Sequence, residues 1–255
     1  MYRMIVHKTP EQIEAMAAAG RILVRCLRIV AAKARPGVTT KDLDTAAEKF
    51  IRSQGAEPAF KGYRGFPGSI CASPNSMVVH GIPGPYELKR GDVLSVDVGV
   101  IKDGWVADAA ITLSIGSIGP VAQKLLDVTR AALFAGAAEM QPGNHLGDVS
   151  AAIQRTVEIE GLSIIRTLVG HGIGRDMHEE PQVPNYGERG RGPELEEGTV
   201  LAIEPMVNAG GPLVRAGDDG WAVYSQDGSL AAHFEFTVAV TADGPRILTP
   251  WHEDE

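Results

Sequence analysis

The 255-residue sequence has only two cysteines, Cys26 and Cys71. Two thiols without paired spacing make neither a disulfide framework nor a cysteine-based zinc site, and Cys26 falls in an apolar helical stretch where it reads as core. No apolar run approaches the length of a membrane span, so no membrane partner is expected. The opening MYRMIVHKTPEQ lacks a basic-then-apolar leader pattern, and the expected location is the cytoplasm. Blocks of lysine and arginine are missing too. With 24 basic against 32 acidic residues the net charge is −8, and direct nucleic-acid binding is not expected, because a phosphate backbone needs clustered cations. Nor is there a low-complexity tract, a short-period repeat or a break in composition. The 30 glycines and 16 prolines are spread as turns would be, and residues 1–255 are expected to form a single domain.

What is present is a sequence of clear periods. Thr9-Pro10-Glu11-Gln12 has the form of a capping box with proline at the first helical position, opening an alanine-rich helix to about Lys33. A second helix starts near Thr39 and stops at Gly55; residues 56–76 are rich in loop-forming residues. From Asp92 the period becomes two: Leu94, Val96, Val98 and Val100 alternate with Ser95, Asp97 and Gly99. Asp103-Gly104 then supplies a two-residue hairpin turn, with a return strand from Trp105 to about Leu113. Helices follow from about Val121 to Met140 and from Leu146 to Glu160, and strands around Val200 to Ile203 and Phe234 to Val240. Helices, a hairpin, helices, then strands describe an α+β fold rather than an alternating βαβ one.

The hairpin carries acids where a core strand has no ordinary use for them. A two-residue turn at Asp103-Gly104 pairs Lys102 with Trp105, so Asp97 lies opposite Ala110 and Asp108 opposite Gly99. The two carboxylates are then diagonal neighbours on one face, roughly 7–8 Å apart at the backbone, within reach of a common cation. They could equally be solvent-face residues of a half-exposed sheet. Two further acids weigh against that reading: Glu204 ends the apolar run Val200-Leu201-Ala202-Ile203, and Glu235 stands between Phe234 and Phe236. Burying four carboxylates without partners is costly. His171, within Gly170-His171-Gly172-Ile173-Gly174, adds an imidazole; that glycine-rich stretch matches neither a dinucleotide fingerprint nor a P-loop. Four carboxylates and one imidazole suit hard to borderline ions such as Mn, Fe(II), Co or Zn, and could hold two of them about 3.5–4 Å apart.

These stretches resemble the type I methionine aminopeptidases of the pita-bread fold. The resemblance rests on the Asn75–Pro83 stretch NSMVVHGIP, on Val96-Asp97-Val98 followed by Lys102-Asp103-Gly104 and Asp108, and on the Gly170–Val183 stretch GHGIGRDMHEEPQV. Ile203–Gly210 (IEPMVNAG), Asp219-Gly220-Trp221 and Glu235 add to it, in order over essentially the whole chain. It implies a single catalytic domain with a central antiparallel sheet, outer helices and pseudo-two-fold symmetry. It further implies two divalent ions, with Asp97 on one, His171 on the other, Asp108 and Glu235 bridging, and Glu204 both ligand and general base. His80 would hydrogen-bond the scissile amide nitrogen or the peptide backbone, and His178 the carbonyl oxygen. The methionine pocket would be lined by Phe60, Tyr63, Phe66, Cys71, Met177 and Trp221, with Phe60, Phe66 and Met177 standing where relatives commonly carry Cys, Tyr and Phe. The implied activity is removal of the initiator methionine, by attack of a water on the first peptide bond of peptides or nascent chains with a small second residue, with association with the ribosome a further implication.

Only 25 residues separate His178 from Glu204, too few for the helical insertion of type II enzymes, and the first helix begins near residue 10, so a short bacterial form is expected. A monomer suffices for the motif set. The competing readings are an aminopeptidase P or prolidase with the same ligands, a non-enzymatic pita-bread binding protein, and a metal-free structural protein.

Overall fold

Helix α1 (Pro10–Lys33) begins where Thr9 and Gln12 exchange hydrogen bonds, with Pro10 in the first turn, where a missing N–H costs nothing. The same reciprocal cap, between Thr39 and Asp42, starts α2 (Thr40–Ser53). The structure, a computed structural model, describes residues 5–253. Residues 1–4 of the N-terminal reading and residues 254–255 of the expected domain lie outside the described residues.

The hairpin forms in the register that counting from its turn requires. Strands Val93–Lys102 and Trp105–Ser114 are joined by Asp103 and Gly104, both with left-handed backbone (φ 51° and 76°), the pair of values that lets a two-residue turn follow the twist of its strands. Lys102 pairs with Trp105, Gly99 with Asp108 and Asp97 with Ala110. Short strands Glu57–Pro58 and Cys71–Pro74 pair on the other edge of Val93–Lys102, completing a four-stranded antiparallel sheet.

A second antiparallel sheet has five strands in the order Gly244–Ile247, Phe236–Thr241, Val200–Ile203, Val169–Gly172, Glu179–Pro184. Two three-stranded sheets fill in around them, one of them containing Met77–Val79 and the other Ala231–His233. Helices α1 and α2 pack together on the hairpin side, while α3 (Pro120–Ala138) and α4 (Leu146–Glu158) pack together on the side of the later strands. One apolar core joins the two halves: Leu23 and Leu27 of α1, Val96 and Val98 of the hairpin, Leu133 of α3 and Phe236 of the second sheet all belong to it.

Three segments differ from the sequence reading. His171 lies on the Val169–Gly172 strand, a four-residue stretch too short and glycine-rich to show a period. Residues 56–76 contain the short strands named above, because their backbone pairs with the long hairpin strand. The strand expected from Phe234 begins at Phe236, since the Glu235 N–H leaves the five-stranded ladder and donates to the Ala110 carbonyl, 2.9 Å away.

Candidate metal centre

The centre lies where the hairpin meets the C-terminal strands, and two threonines make the junction. His233 N donates to Thr112 Oγ1 (3.0 Å), whose hydroxyl donates to the His233 carbonyl (2.8 Å). Two steps along, Glu235 N donates to Ala110 O. Two steps further, Asp108 N donates to Thr237 Oγ1 (3.0 Å) and that hydroxyl donates to Asp108 O (2.8 Å). The chain therefore runs antiparallel to the return strand in the order 112–233, 110–235, 108–237, with hydroxyls standing in for backbone groups on either side of the one direct bond. This alignment sets Glu235 diagonal to Asp108, which is itself diagonal to Asp97 across the hairpin. The Trp251 indole N–H donates to the Glu235 carbonyl (2.9 Å) and holds it from behind.

The remaining ligand candidates come from the second sheet. Glu204 follows the Val200–Ile203 strand, its carbonyl accepting from the Asn185 amide at 2.9 Å. His171, paired with Ala202 on the neighbouring strand, places Nε2 3.6 Å from Glu204 Oε1. Its Nδ1 is 2.9 Å from the Gly172 carbonyl, and burial lowers its pKa to about 3. A neutral ring donating through Nδ1 leaves the Nε2 lone pair facing the carboxylates, the tautomer of a metal ligand.

The acids are not surface residues. Asp108 is 4% exposed and Glu235 2%, while Asp97 and Glu204 are half-buried, so none of the four is a solvent-face residue. Burial, above all, raises Asp97 to about 7 and Glu204 to about 8. It also raises Asp108 and Glu235 well above the usual carboxylate range, with the neighbouring carboxylates adding to it. Asp97 Oδ1, Asp108 Oδ1 and Glu235 Oε1 are buried without a hydrogen-bond partner. One oxygen each from Asp108 and Glu235 and one His171 nitrogen lie within 4.8 Å of one another. Crowded, orphaned carboxylates of this kind are what divalent cations satisfy, and a donor set of oxygens with one imidazole and no thiolate fits the hard to borderline ions.

Two other histidines face the same space. The Tyr63 hydroxyl is 2.8 Å from His178 Nδ1, with the two rings stacked at 5.4 Å, and the His171 ring lies 4.2 Å from that of His178. Burial, then the Arg64 charge, lowers His178 to about 4. His80 follows the Met77–Val79 strand in a left-handed conformation (φ 59°), sparsely populated for a residue with a side chain, and burial lowers it to about 4. Both residues keep an exposed edge, and it is the packing of their rings against the cavity residues that favours the neutral form. The Tyr63 hydroxyl can donate or accept in this contact; the tautomer in which it donates to Nδ1 is the one that places the His178 hydrogen on Nε2.

All the residues singled out in the sequence surround one cavity of about 160 Å³. Its lining combines Asp97, Asp108, His171, Glu204 and Glu235 with His80 and His178 and with the largely apolar set Phe60, Tyr63, Phe66, Cys71, Met177 and Trp221. Phe66 meets Trp221 edge to face at 5.1 Å. The Cys71 thiol is pushed up by burial, then by Asp97, and so is an unreactive wall residue. Arg64 also lines the cavity, and His233 stands behind it, Nε2 3.5 Å from Glu204 Oε2. Neither was singled out in the sequence. His233 had a signal: it lies two residues before Glu235, on the same face of an extended chain.

The family model for metallopeptidase family M24 matches residues 14–242. The chain is 50% identical to a methionine aminopeptidase of Clostridium perfringens, over 96% of this chain and 99% of that one, and 49% identical to methionine aminopeptidase 1 of Bacillus subtilis with the same coverage. Among solved structures, the methionine aminopeptidase of Thermotoga maritima superposes with a TM-score of 0.95 at 44% identity, covering 96% of this chain and 99% of the other. A prolidase of Pyrococcus horikoshii superposes at 0.77 with 20% identity over 96% of this chain and 64% of its own, a likeness of fold alone.

Proposed function

The chain belongs to metallopeptidase family M24, among its methionine aminopeptidases of pita-bread fold, and from that premise we propose how its residues divide the work. The enzyme removes an N-terminal methionine. Asp97, Asp108, His171, Glu204 and Glu235 would hold two divalent ions, Mn, Co, Fe(II) or Zn. When bound, such ions lower the pKa of water and polarise the substrate carbonyl.

The chain's own groups do the rest. Glu204 accepts the proton of the attacking water and returns it to the leaving amine nitrogen; its carboxyl, raised by burial to about 8 on its own, would be brought down by cations held at the site. His178, in the tautomer whose Nδ1 accepts from the Tyr63 hydroxyl, donates through Nε2 to the carbonyl oxygen as negative charge develops there. His80, neutral on its left-handed backbone, hydrogen-bonds the scissile amide nitrogen. The apolar wall holds the thioether, and Cys71 takes part only by its size. Substrates are peptides with a small second residue, nascent chains at the ribosome among them. The work is done in the cytoplasm by a monomer of one catalytic domain.

The observation that carries this reading is four carboxyls, two buried and two half-buried, crowded beside a neutral imidazole in the lining of one cavity with apolar residues. The test is to strip the protein of metal, restore Mn or Co, and offer Met-Ala-Ser beside an Ala-Pro peptide. Metal-dependent release of methionine alone is expected, with Glu204→Gln slowing turnover by about 1000-fold. Cleavage of only the proline peptide, or near-normal turnover by Glu204→Gln, would overturn it.

A further inference from the structure

Lys8 lies outside the cavity lining, yet its side chain is 2% exposed, which is unusual for a lysine. Its Nζ donates to Glu179 Oε2 at 2.6 Å and to the Val6 carbonyl at 2.9 Å, and its backbone N–H donates to the Gly198 carbonyl at 2.8 Å. Glu179 is the residue after His178. Its other oxygen, Oε1, accepts from the backbone N–H groups of Arg175 (2.8 Å) and Asp176 (3.3 Å). One carboxylate thus ties the extended segment before α1 to the turn that carries Met177 and His178.

That turn is clamped on its other side as well. The Arg175 guanidinium lies 3.9 Å over the Trp105 ring and donates to the Gly104 carbonyl at 3.0 Å, and the Gly174 carbonyl accepts from Val106 N at 2.9 Å. Residues 174–176 are therefore fixed to the hairpin, and Glu179 is fixed to Lys8. Met177 and His178, between the two clamps, face the cavity.

A buried ion pair contributes little net stability over an apolar pair of the same volume. What it supplies is placement: a charged group that must meet its partner at 2.6 Å leaves the turn one seating. We propose that Lys8 is a positioning residue for the reaction, acting through Glu179 to hold the His178 ring where it meets the substrate carbonyl. This rests on the role given to His178 above.

The experiment is a double-mutant cycle on the metal-loaded enzyme with Met-Ala-Ser, using Lys8→Met, which keeps the aliphatic stem, and His178→Ala, singly and together. Lys8→Met is expected to lower kcat about tenfold with KM within about twofold, since a small misplacement of a reacting group is felt mainly in turnover. Mn affinity by calorimetry should not change. In the His178→Ala background the Lys8 effect should vanish. Where Lys8→Met does not fold, Glu179→Gln, which keeps the Oε1 acceptor, enters the same cycle. An unchanged kcat, an equal loss in both backgrounds, or a loss traced to weaker Mn binding overturns the proposal. If His178→Ala itself leaves kcat intact, the role given to His178 fails and the proposal with it. A His178-dependent kcat with no Lys8 effect sinks only the present inference.

Discussion

Each oxygen of Glu204 has a histidine beside it, His171 Nε2 at 3.6 Å from Oε1 and His233 Nε2 at 3.5 Å from Oε2. His233 also lies 3.9 Å from Glu235 Oε2, is 2% exposed, and neither of its ring nitrogens has a hydrogen-bond partner. Groups behind the ligands commonly set ligand orientation, and losing one weakens metal binding about 10–100-fold. His233→Leu, similar in size but without a polar atom, should therefore weaken Mn binding by about tenfold in a calorimetric titration while the protein stays folded. An unchanged isotherm would make His233 a packing residue only. His233 also marks what the sequence left hidden at this scale. Its spacing from Glu235 puts it on the same face of the chain, but only the alignment across the junction shows what it touches.

Among the elements, the hairpin could be read in full, the later strands Val200–Ile203 and Phe236–Thr241 could be read to within two residues, and the shorter ones could not. Asp103-Gly104 sets the turn and alternation sets the faces, so the pairing of Asp97 and Asp108 follows from local chemistry. The Val169–Gly172 and Met206–Asn208 strands are four and three residues long; long-range pairing, not periodicity, makes them strands. Gly99 of the hairpin shows how closely one element borders the cavity. A Cβ there would lie 2.7 Å from Phe60 Cε1 and 2.9 Å from both Met177 Cε and Ala59 Cβ, and Phe60 and Met177 are lining residues of the cavity. Gly99→Ala should raise KM for Met-Ala-Ser about tenfold, with kcat and Mn affinity changed far less. Steady-state kinetics with an unaltered KM would show that the wall relaxes elsewhere.

For the whole molecule, the buried carboxyls make stability depend on metal and pH together. Without cations, Asp97 at about 7 and Glu204 at about 8 hold protons that the unfolded chain, with carboxyls near 4, has already released. Between those values the folded state binds more protons than the unfolded one, so stability falls as pH rises. The thermal midpoint of metal-stripped protein should drop by about 5 °C or more from pH ~5.5 to ~8.5. Saturating Mn should abolish the drop, because cations hold the same carboxyls charged. A stripped protein equally stable at both values would mean that these groups titrate normally. The α+β class was visible in the order of helices and strands, and the pseudo-two-fold only in the family resemblance. The threonine-bridged junction between the two halves was not, because it joins residues more than a hundred positions apart.

That junction also checks the chain for errors. Phe234 and Phe236 flank Glu235, and both are buried in the core. If the C-terminal segment slipped by one residue, a phenyl ring would take the carboxylate's place and the carboxylate would enter the core, while Thr112 and Thr237 would lose their partners. No compromise alignment is available, so a misthreaded copy neither closes its core nor assembles its ligands. A molecule able to bind metal has, by that fact, passed its own inspection.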